Sequence, residues 1–358
     1  MKRLCTWASV LAAFVMVLGA AAATARPPAP KTLVASTRPV YAFAQSSSAL
    51  AWIASDGRVR MERLPGGKSV VVGRVDPPER SYGSVLAVAG TRALWAWDSG
   101  GNSYETAIAT GGLGAAPSGV MLLSGGARNI GDGQRFSGLA GGPSSLAFGW
   151  VDEACPNEPF GLCEMCLGTC PIEVVGGNVS LVAPGVKPSP VPTAPPPALF
   201  AVDAGRVAVA PARSPASPAG PLPRVIEDGP VEVFDLSGHQ LARIPLIGLV
   251  RGLSLSGHKL TVLLERPEGA REILRYDARN GTYLGTSGIL SAAATALTTS
   301  SGGIVFRVGS SIYLQRGRTS ILMARATATP VGLSIAGRRI AWAENVHGHG
   351  RIRTVTVR

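Results

Sequence analysis

Short apolar runs recur along the chain, and a small or glycine-containing turn introduces each of them. The runs are too short for helices and are bounded by turn residues, which predicts β-strands. Their centres fall at seven positions spaced 37 to 60 residues apart: Trp52, Trp95, Phe148, Ala208, Val262, Val305 and Trp342. A period near 40 with four short strands per unit is typical of a propeller blade. We therefore expect an all-β fold, a seven-bladed β-propeller.

Residues 250–285 contain one complete unit. Its four predicted strands, from the inner to the outer, are 253–256, 260–265, 273–277 and 282–284. A tight turn precedes the outer strand, because Asn280-Gly281 is a dipeptide whose two positions both tolerate positive φ.

The last unit provides only three strands, at 331–336, 339–344 and 352–357. Residues 32–36 form an apolar segment that precedes the first unit and has no other strand to join. We expect this segment to complete the seventh blade, which would close the ring and remove its exposed sheet edges. The alternatives are a six- or eight-bladed propeller or a large β-sandwich.

Three insertions lengthen the spacings: a cysteine loop at 155–170 and a proline run at 184–197, both between Phe148 and Ala208, and a Pro/Ser/Ala stretch at 211–223 between Ala208 and Val262. The predicted propeller domain covers 32–358, and a proline-rich linker at 26–31 precedes it.

The repeated inner strand, the Ser-x-x-Gly turn, the aliphatic strand and the Tyr-Asp…Asn-Gly tail resemble the TolB-like and WD-repeat-like propellers of exported bacterial proteins. Residues 250–285 carry this resemblance best and 331–344 next. The turns read Ser-Leu-Ser-Gly and Ser-Ile-Ala-Gly instead of the usual Ser-Pro-Asp-Gly, and the Trp-Asp and Gly-His pairs of true WD repeats are missing from their places. The resemblance implies a propeller that binds a partner, and it transfers no catalytic residue.

The N-terminus has the pattern of an export signal. Lys2 and Arg3 precede an apolar stretch from Leu4 to Ala23, and Ala23-Thr24-Ala25 is a small-x-small cleavage site. We expect a signal peptide at 1–25 and a secreted, extracellular or periplasmic protein. The only cysteine of this region, Cys5, lies before the apolar stretch, which argues against a lipoprotein. No later segment approaches the length of a transmembrane helix.

The remaining cysteines, Cys155, Cys163, Cys166 and Cys170, lie in one loop between the second and third strands of the third unit. In an exported protein, an even number of cysteines in one loop indicates disulfides. Cys155–Cys170 is the favoured outer bridge, with Cys163–Cys166 closing the tip. A zinc site is the first alternative, although only one C-x-x-C pair is present. A redox motif is the second, although no helix pattern accompanies the pair.

Composition excludes two further classes of protein. Apolar residues make up 46% of the chain and charged residues only 16%, which is too apolar for a disordered polyelectrolyte. The 45 glycines and 28 prolines argue against a long helical protein.

Positive charge is concentrated in the last two units. The chain has 34 Lys and Arg against 22 Asp and Glu, a net charge of +12, and residues 300–358 hold nine arginines against one acid, Glu344. Because ring closure would add the basic segment 26–40 to the same blades, we predict a basic sector that binds an anionic surface. Its candidate residues are Arg307, Arg316, Arg318, Arg338, Arg339, Arg351 and Arg353.

These observations favour a secreted, non-catalytic binding scaffold at the cell surface, without cofactor or metal. The expected partner is a protein or an anionic polymer or glycan of the cell envelope and not a nucleic acid, and we expect a monomer. The alternatives are a propeller enzyme that acts on glycans and an accessory subunit of an envelope complex.

Overall fold

The computed structural model describes residues 27–99, 103–127, 133–154, 173–183, 186–192, 194–203, 205–212 and 229–357. This part of the chain folds into a seven-bladed β-propeller in which each blade is an antiparallel meander of four strands. The predicted fold class is therefore confirmed, and the six-bladed, eight-bladed and sandwich alternatives are excluded. The predicted signal peptide lies outside the described residues.

Strands are numbered along the chain, and each blade is given from the inner to the outer strand. Blade 1 contains β2 (Val40–Gln45), β3 (Ala49–Ala54), β4 (Arg58–Arg63) and β5 (Val70–Arg74). Blade 2 contains β6 (Val85–Ala89), β7 (Arg92–Ser99), β8 (Ser103–Gly112) and β9 (Ala115–Ala127). Blade 3 contains β10 (Gly133–Gly141), β11 (Leu146–Ala154), β12 (Glu173–Val182) and β13 (Ser189–Pro190). Blade 4 contains β14 (Pro197–Asp203), β15 (Arg206–Pro211), β16 (Val231–Asp235) and β17 (Gln240–Ile244).

The remaining strands complete the ring. Blade 5 contains β18 (Leu249–Ser256), β19 (Lys259–Glu265), β20 (Arg271–Asp277) and β21 (Tyr283–Leu290). Blade 6 contains β22 (Ala294–Ser300), β23 (Gly303–Val308), β24 (Ser311–Arg316) and β25 (Thr319–Arg325). Blade 7 contains β26 (Gly332–Ala336), β27 (Arg339–Val346), β28 (His349–Thr356) and, as its outer strand, β1 (Lys31–Ser36). A short 3-10 helix, Pro78–Gly83, connects blades 1 and 2.

The two ends of the chain meet in blade 7, as predicted. Strand β1 pairs antiparallel with β28, with Lys31 opposite Thr354 and Ser36 opposite Gly350. The inner strands of neighbouring blades contact one another around the whole ring, including β26 of blade 7 against β2 of blade 1. The N-terminal strand therefore holds the first and last blades in one closed circle.

The seven predicted strand centres all lie in the second strand of a blade. These strands pack on both sides, so that all six residues of β3 are buried, for example. A separate apolar cluster fills each gap between neighbouring blades. Burial on both faces explains why the sequence reads as continuous apolar runs here.

The outer parts of the blades differ more from the expectations. Within the predicted proline insertion, Ser189–Pro190 pairs with β12 and serves as the fourth strand of blade 3. Blades 2 and 3 are also joined into one eight-stranded sheet, because Gly125 of β9 pairs with Gly133 of β10. Most of the stretch 211–223 and the whole cysteine loop lie outside the described residues. The two strands that bound the cysteine loop do pair, with Ala154 opposite Glu173.

Tight contact between the first hairpins of blades 6 and 7 gives a test of the ring. A Cβ atom at Gly302 would lie 2.0 Å from the carbonyl oxygen of Gly337, whereas one at Gly83 would have no neighbour within 4 Å. We expect Gly302→Ala to lower the free energy of unfolding by about 1–3 kcal/mol, because the added methyl group forces the two hairpins apart. Denaturant unfolding followed by tryptophan fluorescence measures this change. Gly83→Ala is the matched control, and equal stability of the two variants would contradict the close packing.

Candidate functional site

The alternating strand directions divide the disc into two faces. On one face lie the turns that join the first strand of each blade to the second and the third to the fourth. We call this the hairpin face. On the opposite face, the loop face, lie the turns between second and third strands and the links from blade to blade. Among the described residues, short turns form most of the hairpin face, and the ends of β11 and β12 that bound the cysteine loop lie at the loop face.

Hydrogen bonds connect the inner hairpins of neighbouring blades. The Ser46 hydroxyl donates to the carbonyl of Gly90 at 2.6 Å, and the Ser300 hydroxyl donates to the carbonyl of Gly337 at 2.7 Å. The Gly257 amide donates to the Asp203 carboxylate at 2.6 Å. These bonds link blades 1 to 2, 6 to 7 and 4 to 5 and hold the hairpins at fixed positions.

Every blade places at least one cationic side chain in or beside its hairpins. The set consists of Lys31, Arg63, Lys68, Arg92, Lys187, Arg206, Lys259, Arg279, Arg316, Arg318, Arg338 and Arg339. Most of these side chains are exposed, and Arg92, Arg206 and Arg339 are half-buried.

Three acids that flank described hairpins of blades 4 and 5 are hydrogen bonded to turns or to an arginine. Asp203 holds the hairpin of blade 5, as described above. Asp235 accepts hydrogen bonds from the Ser237 hydroxyl at 2.6 Å and from the His239 amide, which lower its pKa. Asp277 is bound by Arg279 at 2.6 Å, which lowers the pKa of the carboxyl group. These acids lie in the turns of blades 4 and 5, whereas exposed cations lie at the hairpins of blades 1, 3, 6 and 7.

On the loop face, by contrast, opposite charges pair with each other. Glu265 lies between Arg251 and Arg271, with nitrogen–oxygen distances of 2.9 and 2.7 Å. Hydrogen bonds from these two guanidinium groups lower the pKa of Glu265 from 4.5 to about 2. The ionised pair therefore contributes stability above pH 4.5, and this contribution is lost as the pH falls towards 2. Arg266–Glu272 and Arg135–Glu153 are further pairs of this kind.

The seven arginines of the predicted basic sector do not all lie together. Arg316 and Arg318 flank the outer hairpin of blade 6, and Arg338 lies in the inner hairpin of blade 7. All three are exposed on the hairpin face. Arg338 keeps one contact to the chain, from its Nε to the carbonyl of Val357 at 2.8 Å.

The other four arginines are bound within the protein or lie elsewhere. Arg339 donates to the Gln45 side chain at 2.9 Å and to the Ser46 carbonyl at 2.7 Å, which joins blade 7 to blade 1. Arg351 and Arg353 both face the fully buried carboxylate of Glu344, at 2.6 and 3.8 Å. Arg307 is half-buried at the end of β23 nearer the loop face.

Cys155, Cys163, Cys166 and Cys170 lie outside the described residues, so the predicted disulfides stay a prediction. Within the described ranges, no group of three His, Cys, Asp or Glu side chains is placed to hold a metal ion. The same part of the chain contains no helix with the length and apolar character needed to cross a bilayer.

The cations of the hairpins in blades 2 to 5, such as Arg92, Lys187 and Lys259, were not predicted. Charge summed along segments of the chain hides them, because the hairpins of each of these blades add only one or two cations to a nearly neutral segment. The position within each blade would have revealed them. A cation follows the first turn of blades 2, 4 and 5, at Thr91-Arg92, Gly205-Arg206 and His258-Lys259.

No protein-family model and no curated protein sequence matches the chain. Solved structures do resemble it. BamB from Moraxella catarrhalis is 10% identical, with 88% of this chain and 85% of that chain covered and a TM-score of 0.44. The Pan2 WD40 domain of Neurospora crassa is 10% identical, with 90% and 91% covered and a TM-score of 0.48. A chain of the mitotic checkpoint complex is 11% identical, with 99% of both chains covered and a TM-score of 0.47. The predicted propeller fold is confirmed by the strand pairing of this chain itself. These similarities concern the fold alone.

Arg339 and Arg318 should respond differently to truncation. We expect Arg339→Ala to lower the free energy of unfolding by about 1–3 kcal/mol, because it removes charged hydrogen bonds that join blades 7 and 1. Arg318→Ala removes an exposed side chain of the same type and should change stability by less than about 0.5 kcal/mol. Thermal and denaturant unfolding of both variants tests this, and an equal loss in the two would show that Arg339 does not fasten the ring.

Proposed function

We propose that the protein is a non-catalytic binding scaffold whose hairpin face contacts an anionic partner. The observation that carries this proposal is the distribution of charge: every blade contributes a cation to the hairpin face, whereas Asp203, Asp235 and Asp277 are hydrogen bonded to turns or to an arginine. Because a surface of one sign attracts a polyanion over several ångströms, such a face favours an extended anionic polymer over a small neutral ligand.

The junction of blades 6 and 7 is the proposed centre of contact. Arg316, Arg318 and Arg338 are exposed there, and Arg339 adds a half-buried positive charge next to them. Arginine suits such a role, because its guanidinium group forms paired hydrogen bonds with phosphate or carboxylate groups. The hydrogen-bonded hairpins would present these groups with little loss of conformational freedom on binding.

Charge reversal tests this contact. We expect Arg316→Glu with Arg318→Glu to weaken binding of the mature protein to a soluble polyanion such as heparin by about tenfold or more at low salt. The attraction should decline with added salt, because exposed charges are screened. Titration followed by fluorescence anisotropy of labelled heparin measures the affinity.

The matched control is Arg243→Glu with Arg325→Glu, which changes net charge equally at two exposed positions towards the loop face. Because Arg243 lies 3.5 Å from Glu232, thermal unfolding is measured to show that this control is folded. This control should bind as the unmodified protein does. If both double variants lose the same affinity, only net charge matters and the hairpin face is not the binding site.

Export and disulfide formation belong to the same proposal, because disulfides persist in oxidising compartments outside the cytosol. The n-region, apolar stretch and Ala23-Thr24-Ala25 site support cleavage after Ala25 and a partner in the cell envelope. Protein recovered from the exported fraction should begin at Arg26 and should titrate no free thiol before reduction. An intact N-terminus in a cytosolic fraction, or four free thiols, would contradict this part of the proposal.

A further inference from the structure

A groove of about 650 Å³ runs along the seam where the ring closes. Strand β1 of blade 7 forms one wall over residues 33–36 and continues into Thr37 and Arg38. Strand β4 of blade 1 forms the other wall with Arg58, Arg60 and Glu62. We call this the seam groove. Its volume lies within the range of small-molecule binding sites.

The groove exists because β4 turns charged side chains towards the neighbouring blade. On β4, Val59 and Met61 are fully buried and face blade 2, so Arg58, Arg60 and Glu62 face blade 7. Corresponding third strands fill this side with apolar residues, such as Ala107 and Ala109 in blade 2 and Leu274 and Tyr276 in blade 5. Blade 1 therefore leaves a polar space where those two blades have a core.

The charge in the seam groove is positive. Arg38 and Arg58 share Asp56, at 3.8 and 3.6 Å. Arg60 and Arg74 have no ion-pair partner among the residues that the structure describes. Four arginines thus line the groove against two carboxylates, Asp56 and Glu62.

A buried hydrogen-bond donor in the groove wall also has no acceptor. The Trp52 side chain lines the groove and is 3% exposed, and its Nε1 has no partner within the described part of the chain. In blade 2, Trp95 and Trp97 face the preceding blade in the same way and donate to the carbonyls of Arg74 and Asp76 at 3.2 and 2.9 Å. Strand β1 offers Trp52 no such carbonyl. A buried donor without a partner is costly, so an acceptor at this place would be stabilising.

Trp342 marks the difference between a packed tryptophan and one at a groove. Its Nε1 also has no partner among the described residues. The Trp342 side chain, however, is fully buried and lies in the apolar core between blades 6 and 7. Trp52, by contrast, lines a space that four arginines share.

We propose that the seam groove binds a small polyhydroxylated anion, of the size of an acidic sugar. Its carboxylate or phosphate group would pair with Arg60 and Arg74, whose guanidinium groups match such oxygens. A ligand oxygen would accept the Trp52 indole hydrogen, and the hydroxyls of Thr37 and Ser69 would meet ligand hydroxyls. This site lies between blades 7 and 1, its arginines differ from those at the junction of blades 6 and 7, and it does not depend on the function proposed for the hairpin face.

Titration of the mature protein with glucuronate, glucose-6-phosphate and neutral glucose tests this site. Calorimetry gives the affinity, and the indole N–H resonances in NMR report on Trp52. We expect one or both acidic sugars to bind more tightly than glucose and to shift the indole resonance that disappears in Trp52→Phe. The resonance of Trp97 should stay in place, because its N–H group is bonded to the carbonyl of Asp76, which does not line the groove. Comparison of the two acidic sugars shows whether the site prefers a carboxylate or a phosphate.

Variants make the site falsifiable. Arg60→Gln should weaken binding roughly tenfold or more and Trp52→Phe about three- to tenfold, whereas Arg325→Gln, an exposed position away from the groove, should have no effect. Glucose binding equal to that of both acidic sugars, or unchanged affinity in Arg60→Gln, would overturn the proposal. Arg316→Glu with Arg318→Glu should leave this affinity unchanged, so failure of the groove and failure of the hairpin face can be told apart.

Discussion

The pairing of β1 with β28 is the interaction on which the rest of the structure depends. It places the first strand of the domain in the same sheet as the last, so that unfolding blade 7 would release both ends of the chain. Blades 1 to 6 are each made from one continuous stretch of chain. Blade 7 is completed by a strand from the other end of the domain, and further contacts reinforce its junction with blade 1.

Two sets of hydrogen bonds fasten the seam at opposite ends. Near the hairpin face, Arg339 of blade 7 bonds to Gln45 and Ser46 of blade 1. Near the loop face, the Asn345 side chain exchanges two hydrogen bonds of 2.8 Å with the backbone of Val40. Between these points an apolar cluster that includes Trp52 and Ile352 closes the inner part of the seam. The outer part stays open as the seam groove because β4 carries charged residues there.

Strand direction in the closed ring also sorts the charges. The described hairpins of every blade include or adjoin one or more cations, and Asp203, Asp235 and Asp277 bind turn backbone, a neighbouring hairpin or Arg279. The loop face carries interleaved acids and arginines in blades 3 and 5, whereas the seam groove keeps an excess of arginines. Positive charge that looks diffuse in the composition therefore lies at defined places, the hairpins and the seam groove.

By itself the sequence determined the class of fold, the second strand of every blade and the closure by residues 32–36. Burial on both faces of a strand produces a continuous apolar run, which is visible in the sequence. The last unit has only three strands of its own and one strand is left over before the first unit, which predicts the closure. The two-residue strand Ser189–Pro190 leaves no such signal, because its length carries no pattern. Only the tertiary structure decided that Arg316, Arg318 and Arg338 lie on one surface, whereas Arg339 bonds to the neighbouring blade and Arg351 pairs with a buried carboxylate. Charge counts along the chain ignore strand direction and contacts across blades, and these alone decide which guanidinium groups reach the solvent.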